Sequence, residues 1–182
     1  PWVVKAQIQA GSRHIGKFSD KRAGRKGGIR LSKSLDEVYE NADEMLENLL
    51  VTNHTGAKGR LVSRVYVEEY IKTIQKVYLG LVVDWVSASV MLLITPITEN
   101  NEDDIVKLAI KCPESILKIN LGTQKEITAA QVKEISEFLQ ISAETKELKS
   151  FLNKMLKIFY HYDATMLEIN PIGISKDGII WA

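Results

Sequence analysis

Cysteine is almost absent from this sequence: Cys112 is the single one in 182 residues. One thiol cannot close an internal disulfide or build a cysteine-based zinc site, and the scarcity fits a reducing compartment. Cys112 itself reads as a small core residue. Long apolar runs are missing too. The longest candidate, around Val90 to Ile94, falls far short of the roughly 20 residues a membrane span requires, so a soluble protein is expected. Charge of one sign is not in excess: 24 Lys and Arg against 23 Asp and Glu leave +1, which argues against nucleic acid as the main partner. His14, His54 and His161 lie far apart without metal-ligand spacing, and chain order offers no Ser/His/Asp or Cys/His arrangement. Nucleophilic catalysis is therefore not indicated. The opening Pro1-Trp2-Val3-Val4-Lys5 lacks the progression of a signal peptide and reads as a start inside a domain.

What is present is ordinary globular material, 45% hydrophobic and 26% charged, in a chain long enough to bury a real core. Residues 2–9 alternate, with Val4, Ala6 and Ile8 on one face and Val3, Lys5, Gln7 and Gln9 on the other, the period of a strand. Residues 11–28 are glycine-rich and basic and read as one long loop. Its cluster Lys17, Lys21, Arg22, Arg25 and Lys26, with Arg30 beyond, is either a solvated surface or a site for a local polyanion such as a triphosphate.

Ser34 followed by Glu37 is a capping box that opens a helix over roughly residues 35–50. Three β-rich runs follow, at residues 64–69, 76–84 and 87–95, with short polar connections suited to antiparallel pairing. Helices are expected near residues 104–110, stopped by Pro113, then near 129–140 and 144–161. The last carries an apolar stripe of Leu148, Phe151, Leu152, Met155, Leu156 and Phe159. Two strands close the chain, at residues 165–170 and 178–182, around a Lys176-Asp177-Gly178 turn. No internal repeat is visible. The composite is α+β, or mixed α/β, rather than a doubly wound parallel sheet.

Three places could carry chemistry. In the closing hairpin Met166, Glu168 and Asn170 share one strand face, which sets a carboxylate and an amide oxygen two residues apart. Such hard oxygens suit Mg2+, although Asn170-Pro171 also reads as a simple turn start. Lys5, on the polar face just before the basic loop, fits a fixed ammonium meeting a polyphosphate, or a merely exposed lysine. Glu68 and Glu69 end an apolar strand, where a carboxylate could bond a base or ribose, or simply finish the strand.

Read together, these segments resemble the β subunit of the succinyl-CoA synthetase (succinate–CoA ligase) family. The segments that carry it are Trp2-Val3-Val4-Lys5-Ala6-Gln7-Ile8, Lys26-Gly27-Gly28-Ile29-Arg30-Leu31, Tyr78-Leu79-Gly80-Leu81-Val82-Val83-Asp84 and, most specifically, Asp163-Ala164-Thr165-Met166-Leu167-Glu168-Ile169-Asn170-Pro171. The resemblance implies an ATP-grasp fold of two lobes, residues 1–72 and 73–182, with antiparallel-rich sheets flanked by helices. It implies Mg2+ and ATP/ADP or GTP/GDP as cofactors, and an α subunit as partner in a heterodimer or heterotetramer. That partner would carry a phosphohistidine, with CoA and succinate bound by the complete complex in the tricarboxylic acid cycle, in bacterial cytoplasm or mitochondrial matrix. Nucleic acid and membrane are not implied. On matching positions Lys5 contacts phosphate, Ser12, Arg13, His14, Glu68, Ile71 and Lys76 line the nucleotide site, and Asn170 binds the metal with Glu168 nearby. The family's second metal-binding aspartate and a CoA-ligase-like domain are expected beyond Ala182, so the chain alone is expected to be inactive.

Some positions depart from the family pattern. Gly11-Ser12-Arg13-His14-Ile15-Gly16-Lys17 places side chains where the family has glycines that let backbone approach phosphate. Lys76 stands where the family has a glutamate, and residues 95–101 lack its glycine pair. These departures leave open a non-catalytic relative with a degraded nucleotide site, acting as a structural or assembly subunit. A malate–CoA ligase β subunit is a further alternative, differing in acid substrate.

Overall fold

In a computed structural model, which describes residues 1–24, 26–98, 105–141 and 145–182, strand β1 (Trp2–Ala6) buries Val4 and Ala6 completely and leaves Val3 and Lys5 half-buried. Arg25 of the basic cluster, Glu99 to Asn101 of the altered segment, and Asp104 and Glu144, the expected first residues of two helices, lie outside the described residues. The chain divides into two compact units, Pro1–Ile71 and Lys72–Ala182.

In the first unit β1 is the centre of a three-stranded antiparallel sheet. It pairs with a later strand at Ile29–Ser32 and another at Val65–Glu69. Helix α1 (Leu35–Met45) packs behind it, with Met45 buried against Val4, Ala6, Phe18, Leu50 and Val62. Its start follows the sequence signal with one shift. Ser34 Oγ accepts from the N–H of Glu37 at 3.2 Å, while the Glu37 carboxylate accepts from the N–H of Lys33 at 2.7 Å.

The helix ends at Met45, five residues short of the expected 50. Glu47 takes a left-handed backbone (φ 57°), and buried Asn48 draws the chain away. Its side-chain oxygen accepts from Asp20 N at 3.2 Å and its amide donates to the Glu44 carbonyl at 3.2 Å. Leu49–Val51 is consequently a strand, the middle of a second small sheet between Lys17–Phe18 and Arg60–Leu61. In chain order the first unit's strands are thus β1, β2 (Lys17–Phe18), β3 (Ile29–Ser32), β4 (Leu49–Val51), β5 (Arg60–Leu61) and β6 (Val65–Glu69). The expected single loop over residues 11–28 is therefore interrupted. Burial of Phe18 beside Leu50 fixes β2, and a 3-10 turn at Lys21–Ala23, capped by Asp20, follows it.

The second unit is a five-stranded antiparallel sheet in the order β11-β10-β7-β8-β9, formed by β7 (Gln75–Asp84), β8 (Ser89–Ile97), β9 (Leu117–Gly122), β10 (Met166–Ile174) and β11 (Ile180–Trp181). β7 and β8 pair in unbroken register from Lys76↔Ile97 to Asp84↔Ser89. The first of the three middle runs does not join them; it is β6, and Val67 lies opposite Val4. β9 had not been expected, although Leu117, Ile119 and Leu121 alternate as a half-buried strand should.

Helices α3 (Ala129–Leu139) and α4 (Thr145–His161) cover one sheet face. Leu148, Leu152, Met155, Leu156 and Phe159 of α4 are buried against Leu79, Leu81, Leu92 and Ile94. β10 runs past Asn170 to Ile174, with a bulge between Ile169 and Ile172, so Asn170-Pro171 is an irregularity inside a strand rather than a turn start. Cys112 is exposed and not a core residue. It sits between α2 (Ile105–Lys111) and a short 3-10 turn, where its carbonyl accepts from Ser115 N at 3.0 Å. No helix among the described residues is long and apolar enough to cross a membrane.

Candidate functional site

Lys5 stands on the half-exposed face of β1, opposite Ile29 and Tyr66, with Glu68 as its diagonal neighbour on β6. Long side chains meet across that diagonal, and Glu68 forms an ion pair with Lys5 Nζ. Both side chains are about a third exposed, 31% and 36%. A pair so hydrated contributes little stability, and an anion carrying more charge than one carboxylate can compete for the ammonium.

Beside β1 lies the segment of Ser12, Arg13 and His14, each half-buried. Ser12 holds a left-handed backbone (φ 54°), so this position keeps a glycine-like conformation in spite of its side chain. The Arg13 carbonyl accepts from Gly28 N at 2.7 Å and from Gly16 N at 3.2 Å, and the Arg13 guanidinium donates to the Ala6 carbonyl at 2.8 Å. Gly27 is where the two arms of the segment touch. A Cβ there would lie 1.9 Å from the His14 carbonyl oxygen, so only glycine permits the approach.

Arg30 is removed from the basic cluster by burial. It is 5% exposed; Nε donates to the Gly27 carbonyl at 3.0 Å and Nη2 to the Ala23 carbonyl at 3.2 Å. Nη1 donates to Asn41 at 3.1 Å and pairs with the Glu44 carboxylate, and the guanidinium lies 5.4 Å from the Phe18 ring centre. Arg30 is a brace between loop and helix, not a contact for a polyanion. Lys17, Lys21, Arg22 and Lys26 are exposed. Arg22 pairs with Asp20 at 2.8 Å and, chiefly through its backbone N–H, holds the Asp20 carboxyl below its ordinary pKa.

In the second unit the face of the sheet away from α3 and α4 presents Lys76, Tyr78 and Gly80 of β7, with Glu168 opposite Gly80. Tyr78 is 4% exposed, and its hydroxyl donates to Glu168 Oε2 at 3.1 Å. Burial, then the Glu168 charge, pushes the Tyr78 phenol up to about 12. Asn170 follows two residues on, inside the bulge and exposed. Among the described residues no group of three or more His, Cys, Asp or Glu could hold a metal ion. One carboxylate and one amide oxygen nevertheless fit Mg2+, which takes one or two protein groups and fills its octahedron with water and phosphate. Ile71 is half-buried at the end of the first unit, and Lys76 is exposed on β7. Residues 95–97 of the altered segment are strand, with the Thr95 hydroxyl donating to the Ser115 carbonyl at 2.9 Å. Sequence reasoning passed over Tyr78 and Gly80 as site residues; their signal was the two-residue spacing on a strand that faces Glu168.

A family model described as ATP-grasp domain matches residues 1–174, and the chain belongs to that family. The fold is shared with ATP citrate lyase from Methanothrix soehngenii, solved in complex with citrate and coenzyme A. The TM-score is 0.61 at 14% identity, over 100% of this chain and 37% of that one. The nearer kinship is in sequence. Proteins named succinate–CoA ligase [ADP-forming] subunit beta are similar to 97% of this chain, at 38% identity in Hyphomonas neptunium, 37% in Paracoccus denitrificans and 39% in Rhizobium leguminosarum. The resemblance read from the sequence is borne out by them. The chain spans 44% of the length of each of these relatives.

Proposed function

We propose that this chain is the nucleotide-binding part of a succinate–CoA ligase β subunit. In this reading it couples interconversion of succinyl-CoA and succinate to phosphorylation of ADP or GDP, through a phosphohistidine on an α subunit. The observation that carries the reading is Lys5, an ammonium on a sheet face beside a backbone segment pinned by Gly27 and Gly28. The names of the bacterial relatives support the acid and the ADP-forming direction, and with them a cytoplasmic setting. Residues 1–72 and 73–182 serve as the two ATP-grasp lobes.

Phosphoryl transfer asks the protein for positioning and charge neutralisation rather than covalent work. Lys5 exchanges its carboxylate partner Glu68 for phosphate oxygens, and the Ser12–His14 backbone offers N–H groups to them. In this reading Glu68, once released, turns to the rest of the nucleotide, and Ile71 and Lys76 contact it as the family resemblance implies. Glu168 and Asn170 hold Mg2+, which when bound neutralises phosphate charge. Calorimetric titration of the full-length protein with Mg-ADP, Mg-ATP and Mg-GTP tests this. Micromolar binding that Asn170→Ala weakens is expected; no binding by the folded protein would overturn it.

A second reading, a non-catalytic structural relative, is favoured by one observation. Arg13 spends its guanidinium on the Ala6 carbonyl, and Lys5 is already paired, so both cations are engaged within the protein. The same titration separates the two.

A further inference from the structure

We propose that Tyr78 is a positioning residue for divalent cation binding, its hydroxyl setting the Glu168 carboxylate in place before the metal arrives. The inference rests on the metal role given to Glu168 and Asn170 above and names the group that organises them.

The geometry begins with register. Glu168 lies directly opposite Gly80, and Tyr78 is two residues before Gly80 on the same strand. Alternation puts all three positions on one sheet face. Gly80 has no side chain, and the tyrosine ring fills the vacancy. A Cβ at Gly80 would meet the Tyr78 hydroxyl oxygen at 2.9 Å and Cε1 at 3.2 Å. The ring thus lies over Gly80 and carries its hydroxyl to the next strand, 3.1 Å from Glu168 Oε2.

Burial makes that bond directional. Tyr78 is 4% exposed, whereas Glu168 is exposed. A surface glutamate is ordinarily free to sample rotamers; here its carboxylate is hydrogen-bonded to a tyrosine that is itself buried. On the other side of Tyr78, across β8, Thr95 is 1% exposed and directs its hydroxyl to the Ser115 carbonyl at 2.9 Å. The carboxylate keeps further accepting capacity, since one hydrogen bond uses one of its roughly four lone-pair sites. The bulge between Ile169 and Ile172 begins immediately beyond, where an irregularity re-aims Asn170 without disturbing the Glu168–Gly80 pairing. Groups that hold a ligating carboxylate through a hydrogen bond matter to metal affinity nearly as much as the ligand does.

The test uses the full-length protein, Mn2+ as probe, and ADP. Calorimetry measures metal-free ADP, and the electron paramagnetic resonance of free Mn2+ measures Mn-ADP. For Tyr78→Phe, which removes only the hydroxyl, Mn-ADP affinity is expected to fall about tenfold, at the low end for such partners, with metal-free ADP within twofold. In a Glu168→Gln background the same substitution is expected to have no further effect. Gly80→Ala, which displaces the ring by another route, should repeat the metal-specific loss. Equal loss for metal-free and Mn-ADP would mean a merely structural tyrosine and overturn the inference, as would an unchanged Mn-ADP affinity. Failure of the wild type to bind Mn-ADP at all would instead sink the nucleotide-binding reading on which the inference stands.

Discussion

Gly27→Ala is the sharpest perturbation the first unit offers. The added Cβ would fall 1.9 Å from the His14 carbonyl oxygen and 2.6 Å from its carbon, both backbone atoms. Ordinary contact lies near 3.5 Å, so the two arms must separate by more than an ångström. His14 cannot retreat alone, because the adjacent Arg13 carbonyl is tied to Gly28 N at 2.7 Å and Gly16 N at 3.2 Å. Two net hydrogen bonds are worth about 2 kcal/mol, and forced overpacking costs about 1–3 kcal/mol. A loss of roughly 3–5 kcal/mol in unfolding free energy is therefore expected from those two terms. Denaturant titration of the full-length protein reads it. Gly24→Ala is the control: its backbone is left-handed (φ 61°), and a Cβ there meets nothing within 4 Å, so only the backbone strain of about 1–3 kcal/mol is expected, with no steric clash added. If Gly27→Ala were no more damaging than Gly24→Ala, the reasoning about a backbone clamp would be refuted.

Arg30→Met should cost about 3 kcal/mol, because it strands the buried Asn41 and the Gly27 and Ala23 carbonyls and leaves Glu44 without its cation; thermal unfolding checks it, and a neutral outcome would remove Arg30 as the brace. Tyr78, raised from 10.0 to about 12 by burial and Glu168, stabilises the fold fully below about pH 10 and loses that contribution as pH climbs toward 12. Unfolding measured across that window should show a decline that Tyr78→Phe abolishes, and an identical profile in the variant would contradict the assignment.

Much of the scaffold was legible where periodicity is long. The stripe of α4, the Ser34 cap of α1 and the alternation of β1 are each written in neighbouring residues, and all three appear, although the Glu37 carboxylate takes the N–H of Lys33 rather than that of Ser34. What was missed is short or depends on distant partners. β2 has two residues, and its existence follows from Phe18 meeting Leu50, a contact no local pattern encodes. Asn48 ends α1 by bonding Asp20, a residue 28 positions earlier. Cys112 was misplaced because burial of a small thiol is a matter of tertiary location rather than residue type. In the candidate site, Lys5 and Glu68 could be named from strand position, but that they pair required the register of β1 with β6. Arg30 carried the opposite lesson: a cation in a basic run proved to be interior, its charge consumed by loop carbonyls and a helix carboxylate.

The most direct test of the account is the affinity of the full-length protein for Mg-ADP with and without Lys5→Ala, measured by calorimetry. Losing a hydrogen bond to a charged group costs about 1.5–3 kcal/mol, so binding weakened roughly 10- to 150-fold is predicted, with the fold intact because Lys5 is a third exposed. An unchanged affinity would take Lys5 out of the site and contradict the reading of β1 and its glycine-held segment as a phosphate-binding surface.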